Sequence, residues 1–249
     1  MTDDPRRTSF DRNALLYDAV RPGYHPGVLD ELRARVAGTR VLEVGAGTGK
    51  ATELLARGGY RVTAVEPGAQ LCAILRAKAL PDLEVVQAAF EDFGGGDFDV
   101  VVAAQSWHWM PEDRFARAAA AAPALAILRN ETALLDRELR GEIDLAYEHH
   151  HPSKASRDPH DEVAASRAGY TQLIVDSRLY HPPIVAELPW TERYATARYL
   201  ELLSTYSDHA VLPAGTRDAL FADIAAAIDR RGGTIEVPYV TLVFIAHRR

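Results

Sequence analysis

The sequence predicts an α/β fold: one mostly parallel sheet with helices on both faces. Three observations lead there. Apolar runs of strand length alternate with amphipathic helical stretches between residues 40 and 128. The first of these strands, Arg40 to Val44, runs straight into three glycines at alternate positions and then into a helical pattern, Lys50 to Arg57. The chain closes on a long alternating segment, Thr234 to Ala246, with Ile235, Val237, Tyr239, Thr241, Val243 and Ile245 on one face.

Length and composition bound what such a sheet can do. The 249 residues suit one large α/β domain, and the 47% of hydrophobic residues supply its core. The formal charge is −7, and the 28 basic residues form no dense block; Arg6-Arg7 and Arg248-Arg249 stand as separate pairs. Electrostatics therefore gives no reason to expect a nucleic-acid partner. The single cysteine, Cys72, excludes an internal disulfide and a cysteine zinc site, and it falls in an apolar helical pattern. The N-terminal residues Met1 to Pro5 carry acids and no apolar core, so they do not read as a signal peptide. The longest apolar runs are too short to span a membrane. A cytoplasmic protein without membrane contact is the expectation; the sequence sets no oligomeric state.

In chain order, residues 1 to 9 read as disordered, and Phe10 to Val20 as a helix. Arg21 to Pro26 breaks it, and a second amphipathic helix, Gly27 to Ala37, leads to the first strand. After the glycines and their helix, Tyr60 to Glu66 is a second strand ending in an acid. Pro67-Gly68 opens a helix from about Gln70 to Ala79, and Leu83 to Gln87 is the third strand, followed by a loop through Ala88 to Phe93. Gly94 to Gly96 is a turn, and Phe98 to Ala104 reads as a fully buried fourth strand. It runs out into Gln105-Ser106-Trp107-His108-Trp109, a helix from Glu112 to Ala121, and a fifth strand from Pro123 to Leu128. Residues 131 to 206 differ in texture: a long helix from Glu131 to His151, a polar loop from Pro152 to Asp161, a strand near Ile184 to Leu188 and a helix from Thr191 to Leu203. This is too long for an ordinary strand connection and reads as an insertion over the substrate side. Leu212 to Arg231 is a last helix, and the final segment completes seven strands, the last one antiparallel.

The chemistry centres on the glycine turn. Glycines let the backbone turn tightly and approach a ligand, and the helix behind them offers free N–H groups. A phosphate loop would need a glycine at Val44 and a Ser or Thr at Ala51. A dinucleotide turn would need a third glycine where Lys50 stands. Glu43, two residues before Gly45, suits a cationic ligand better than a pyrophosphate. Glu66 follows Gly45 by 21 positions (66 − 45), the offset at which a carboxylate accepts from a ribose diol.

Glu43-x-Gly45-x-Gly47-x-Gly49 resembles motif I of the class I S-adenosylmethionine-dependent methyltransferases. Tyr17-Asp18-x-x-Arg21-Pro22-x-Tyr24 is similar to a segment that precedes motif I in relatives of trans-aconitate methyltransferase. The resemblance implies a Rossmann-like, seven-stranded sheet of order 3-2-1-4-5-7-6 under a helical cap. It divides the chain into lid helices (1–37), cofactor core (38–130), substrate cap (131–206) and the last helix and strand (207–249). It implies S-adenosylmethionine as methyl donor, S-adenosylhomocysteine as product and a small-molecule acceptor. Glu43, Gly45, Ala46, Gly47, Thr48, Gly49, Glu66, Pro67, Phe90, Glu91 and Gln105 would contact the donor. Tyr17, Arg21, Tyr24, Trp107 and Arg129 would form the lid and the substrate side, while Trp109 would pack under the next helix. The resemblance is incomplete at two places: Ala88 replaces the usual acid of the adenine loop, and Ala121 to Ala124 replaces a Pro-Gly-Gly turn. An acceptor that needs deprotonation would find a general base in His108, which reads equally as a structural histidine; a carboxylate acceptor would need the cations Arg21 or Arg129 instead. No metal is expected, because His149, His150 and His151 are consecutive on a helix and point in different directions. Two other readings stay open: a nicotinamide-dependent oxidoreductase, and a fold relative that binds the cofactor without transferring methyl.

Overall fold

A computed structural model describes residues 14–133, 136–152 and 159–249. Seven strands form one sheet of order β3-β2-β1-β4-β5-β7-β6. They are β1 (Arg40–Val44), β2 (Arg61–Val65), β3 (Leu83–Val86), β4 (Val100–Ala104), β5 (Ala124–Thr132), β6 (Ile184–Ala195) and β7 (Thr234–His247). Strands β1 to β5 pair in parallel, and β7 runs antiparallel to both β5 and β6. The expected order and the antiparallel last strand are both present.

Alternation along each central strand divides the core into two layers. Val41, Val100, Val102, Ala124 and Ala126 face one side, against Val28 and Leu32 of α2 (Val28–Arg35), Leu55 of α3 (Lys50–Arg57) and Leu75 of α4 (Ala69–Ala77). Leu42, Val101, Ala103, Leu125 and Ile127 face the other, against Phe115 and Ala118 of α5 (Arg114–Ala121). Period-2 patterning that is apolar on both faces is what a central parallel strand requires.

The cap has its own apolar cluster. It joins α6 (Arg137–His150), α8 (Thr196–Ser204) and α10 (Ala214–Asp229), through residues such as Ile143, Leu202 and Ile224. The segment 207–229, expected with the sheet, thus packs its helix against the cap. Strand β7 serves both parts: Ile235, Val237 and Tyr239 lie in the cap cluster, while Leu242 to Ala246 lie in the sheet core.

Several boundaries differ from expectation for one reason. Strand β5 continues to Thr132, and β6 runs on to Ala195, where a helix was expected from Thr191. Both extensions pair with the long β7, from Thr132↔Tyr239 and Ala195↔Thr234 inward. Pairing with a distant strand overrides the local helical pattern. Elsewhere, helix α7 spans Pro159–Asp176, and α6 begins at Arg137 rather than Glu131. The expected disorder of residues 1–9, the start of the first helix at Phe10, and most of the Pro152–Asp161 loop lie outside the described residues. No described helix is long and apolar enough to cross a membrane.

Candidate active site

One cavity of about 1580 Å³ opens between the carboxyl ends of the parallel strands and the cap. Ordinary ligand pockets run from about 300 to 1,000 Å³, so this one has room for two ligands side by side.

Its floor is the turn after β1. Gly45, Gly47 and Gly49 all have positive φ, a region that other residues enter only with strain. A Cβ on Gly45 would lie 2.6 Å from the Cβ of Ser106, whereas beside Gly47 there is open space. The turn is tight against the core at the first glycine and open to a ligand at the second. Two buried acids flank it. Glu66 Oε2 accepts from the Gly47 N–H at 2.9 Å, and Oε1 accepts from the Gly68 N–H at 2.8 Å. Glu66 also lines the cavity. Glu43 is almost fully buried and accepts a 2.6 Å hydrogen bond from Thr52 Oγ1. Burial pushes its carboxyl up to about 7, and the Glu66 charge adds to the rise while the Thr52 bond opposes it.

The other donor-side residues expected from sequence gather here. Ala46, Thr48, Pro67, Phe90, Glu91 and Gln105 line the same cavity. Among the described residues, Glu91 Oε2 is buried with no hydrogen-bond partner. An orphaned acceptor on a cavity wall is costly unless a ligand donor meets it. Gln105 sits at the end of β4 with φ 55°, a left-handed conformation unusual for a side-chain-bearing residue, and its amide donates to the Asn130 carbonyl at 2.8 Å. Backbone strain of this kind clusters at binding sites.

The chain ahead of the sheet supplies one wall. Tyr17, Arg21 and Tyr24 line the cavity. Helix α1 (Ala14–Val20) is tied to the core by Asp18, which pairs with Lys78 at 2.8 Å and Lys50 at 3.8 Å. Burial would raise the Asp18 carboxyl, but Lys78 and Lys50 hold it below the usual carboxylate range. Arg21 reaches across to the cap: Nε donates to Thr205 Oγ1 at 2.8 Å and Nη2 to the Thr205 carbonyl at 2.9 Å. Its guanidinium lies 4.2 Å from the Tyr206 ring centroid and 5.0 Å from that of Tyr17. The loop after it is pinned by Asn130, whose amide donates to the Gly23 carbonyl at 2.7 Å while its oxygen accepts from Thr241 at 2.6 Å.

Three expected residues are placed differently in detail. Trp107 turns away from the cavity into the core, 1% exposed and edge-on to Phe115 at 5.0 Å. Trp109, expected under the next helix, lines the cavity instead. The short 3-10 turn Trp107–Trp109 separates the two indoles, so that one is buried and the other looks out. Arg129 lines the cavity but is paired with Glu131 at 2.9 Å and stacked on Tyr170 at 5.1 Å. Among the arginines lining the cavity, Arg140 is likewise paired, with Asp144 at 2.7 Å; Arg21 makes no ion pair among the described residues. His108 also lines the cavity, and burial, reinforced by the Arg129 charge, pulls its imidazole down to about 4.

Sequence reasoning expected a cap but named none of the tyrosines on its wall. Tyr147, Tyr199, Tyr206 and Tyr239 come together there from α6, α8, the turn after it and β7. Their convergence depends on how the cap packs, and no local spacing announces it. Among the described residues no cluster of ligating side chains could hold a metal ion.

Comparison with known proteins gives this architecture a family. Residues 41–127 match the family described as "Methyltransferase domain". Over this segment the chain is similar to the class I S-adenosylmethionine-dependent methyltransferases. An uncharacterized methyltransferase of Mycobacterium tuberculosis is 39% identical over 108 residues, covering 43% of this chain and 44% of the relative. One of Bacillus licheniformis is 35% identical over 101 residues, 40% of this chain and 46% of the relative. The match thus spans less than half the length of these curated relatives. Among solved structures, a candidate type II methyltransferase from Anaeromyxobacter dehalogenans superposes with a TM-score of 0.72 at 25% identity, over 91% of this chain and 97% of that one. A candidate methyltransferase from an antibiotic biosynthesis pathway of Anabaena variabilis shares the fold, with a TM-score of 0.54 at 17% identity over 87% and 96%. The sequence match therefore covers the glycine-turn half, and the cap is matched by structure alone.

Proposed function

We propose that the chain binds S-adenosylmethionine in the glycine-turn half of the cavity and directs its methyl group to a small molecule held under the cap. The observation that carries this is the pairing, on one cavity, of an open Gly47 with two buried acids and the orphaned Glu91 oxygen. In that assignment Glu66 accepts from the ribose hydroxyls and Glu91 from a donor on the adenine side. Glu43 lies where an ammonium would draw it into its ionised form. Bound there, the cofactor supplies an activated sulfonium methyl, so the chain's own part is to position the acceptor and exclude water. The lid residues Tyr17 and Tyr24 serve exclusion, and Arg21 offers a cation to a carboxylate on the acceptor molecule. His108, at about 4, remains neutral at physiological pH and is a weak proton acceptor. Any titration it contributes to turnover belongs near pH 4, not near neutrality.

The test is calorimetric and chemical. Titration with S-adenosylmethionine and, separately, with NAD should give saturable binding to the first and none to the second; the reverse would reinstate the oxidoreductase reading. Formation of S-adenosylhomocysteine with an acceptor then separates a methyltransferase from a fold relative that only binds the cofactor.

A further inference from the structure

One group of titratable side chains on the cap wall is unused by that reading. His209 is fully buried, in the short segment Ser207–Ala210. Its Nδ1 lies 2.9 Å from Asp208 Oδ1, and its Nε2 lies 2.9 Å from the Tyr147 hydroxyl. A carboxylate only accepts, so Nδ1 carries the proton of a neutral imidazole. Nε2 is then the lone-pair side, and the Tyr147 O–H donates to it. With its own proton directed at His209, the phenol oxygen keeps lone pairs for a donor in the cavity that Tyr147 lines. The order carboxylate, imidazole, hydroxyl, cavity is that of a proton-accepting chain in which the acid orients the imidazole and stabilises its charged form.

We infer that Tyr147, backed by His209 and Asp208, takes the proton from a hydroxyl acceptor held under the cap. The inference rests on the proposed methyl transfer and sharpens it, since it names the acceptor atom as the oxygen of an alcohol or phenol. The acceptor oxygen bonds to the methyl carbon, and the carbon–sulfur bond breaks with its electron pair staying on sulfur. The acceptor's proton moves to the Tyr147 oxygen as the phenolic proton moves to His209 Nε2, leaving an imidazolium against Asp208.

The surroundings agree with a relay rather than a standing phenolate. Burial pushes the Tyr147 phenol well above its ordinary value, with Tyr199, Asp208 and Tyr206 adding to the rise and Arg140 opposing it. Tyr147 therefore holds its proton until another arrives. The rings of Tyr206, Phe221 and His151 enclose the imidazole at 5.8–6.3 Å, and the titratable groups facing it among the described residues include His151, Tyr206, Tyr147 and Asp208. A bond serving only to tie α6 to the segment after α8 would need no acid behind the imidazole.

Two measurements test this. In the intact protein with S-adenosylmethionine bound, 15N-histidine NMR should show one imidazole as the Nδ1–H tautomer, and that signal should vanish in His209→Gln. Turnover is then read as S-adenosylhomocysteine formation with phenol, catechol and cyclohexanol as probes, beside benzoate and benzylamine. Methylation should be confined to the hydroxyl compounds. Tyr147→Phe should lower kcat by roughly 10²–10⁴ and abolish its pH dependence, and Asp208→Asn should give an intermediate loss. Both variants should keep wild-type affinity for S-adenosylmethionine, which certifies that they fold. An Nε2–H tautomer, methylation of benzoate or benzylamine alone, methylation of none of the probes, or an unchanged kcat and pH profile in Tyr147→Phe would each overturn the relay while leaving the cofactor assignment standing. Failure of the wild-type protein to bind S-adenosylmethionine would instead overturn the methyltransferase reading beneath it.

Discussion

The two halves of the cavity are built on opposite principles. The floor is made of backbone and small residues: three glycines with positive φ, with Glu43 and Glu66 buried beside them. The cap wall is made of large polar-tipped side chains, with Tyr147, Tyr199, Tyr206 and Tyr239 brought in from four separate places in the chain. A site made of backbone is fixed by the strand-to-helix turn itself, and it takes a ligand of fixed shape. A site made of long side chains is fixed only by the packing of the elements that carry them, and it can be retuned without disturbing the sheet. The difference predicts that substitutions in the floor act on cofactor affinity and those in the cap act on acceptor handling.

The sharpest break would come at Gly47. A valine there must adopt the left-handed conformation and fills space that is otherwise open. The strain, about 1–3 kcal/mol, lowers stability in free and bound protein alike, and the loss of ligand space is what acts on affinity. S-adenosylmethionine affinity should therefore fall by at least roughly tenfold to a hundredfold in calorimetry on a protein whose circular dichroism is native. Unchanged affinity would detach the turn from the cofactor. Glu66→Ala should cost about 1–3 kcal/mol of binding, through the ribose contacts and the loss of the grip on Gly47 and Gly68.

A pH experiment sharpens the contrast within the floor. The Glu43 carboxyl, raised to about 7 by burial, favours the ligand-free fold most below the unfolded value of about 4.5. That contribution is lost as pH rises through about 7, at a cost near 3 kcal/mol once the acid is fully ionised. Ligand-free Tm should accordingly decline between pH 5 and pH 8, and Glu43→Gln should flatten the decline. Affinity for the cationic cofactor should move the other way, weakening as pH falls below about 7, with proton release on binding near pH 6. Calorimetry in two buffers of different ionisation enthalpy measures that release.

On the cap side, Arg21→Ala should leave cofactor affinity within about twofold and raise the KM of an anionic acceptor, because the guanidinium spans Tyr17, Tyr206 and Thr205 without an acid partner among the described residues. A cofactor affinity reduced as much as by Glu66→Ala would erase the distinction between the halves. The smallest effect belongs to Thr241→Val, which removes the hydroxyl shared by Asn130 and Trp190 and so loosens the Gly23 loop. About 1 kcal/mol of thermal stability should go, with little change in chemistry.

The sequence by itself determined the strands of the parallel sheet and the glycine turn that follows the first of them. Period-2 apolar runs such as Val100 to Ala104, and glycines at fixed offsets from Glu43 and Glu66, are local patterns that the backbone geometry of a strand-to-helix turn dictates. Only the tertiary structure decided which indole of Trp107 and Trp109 faces the cavity, because a one-residue rotation of a 3-10 turn exchanges them. It also decided that Arg129 is paired with Glu131 while Arg21 makes no ion pair among the described residues and bonds to Thr205. Strand β6 continued to Ala195 because β7 was there to pair with it, against the helical texture of Thr191 to Ala195. The meeting of Tyr147, His209 and Asp208, residues 61–62 positions apart along the chain (208 − 147, 209 − 147), followed from the packing of the cap. Contacts between distant segments depend on the summed packing of everything between them, and no window of sequence contains that sum.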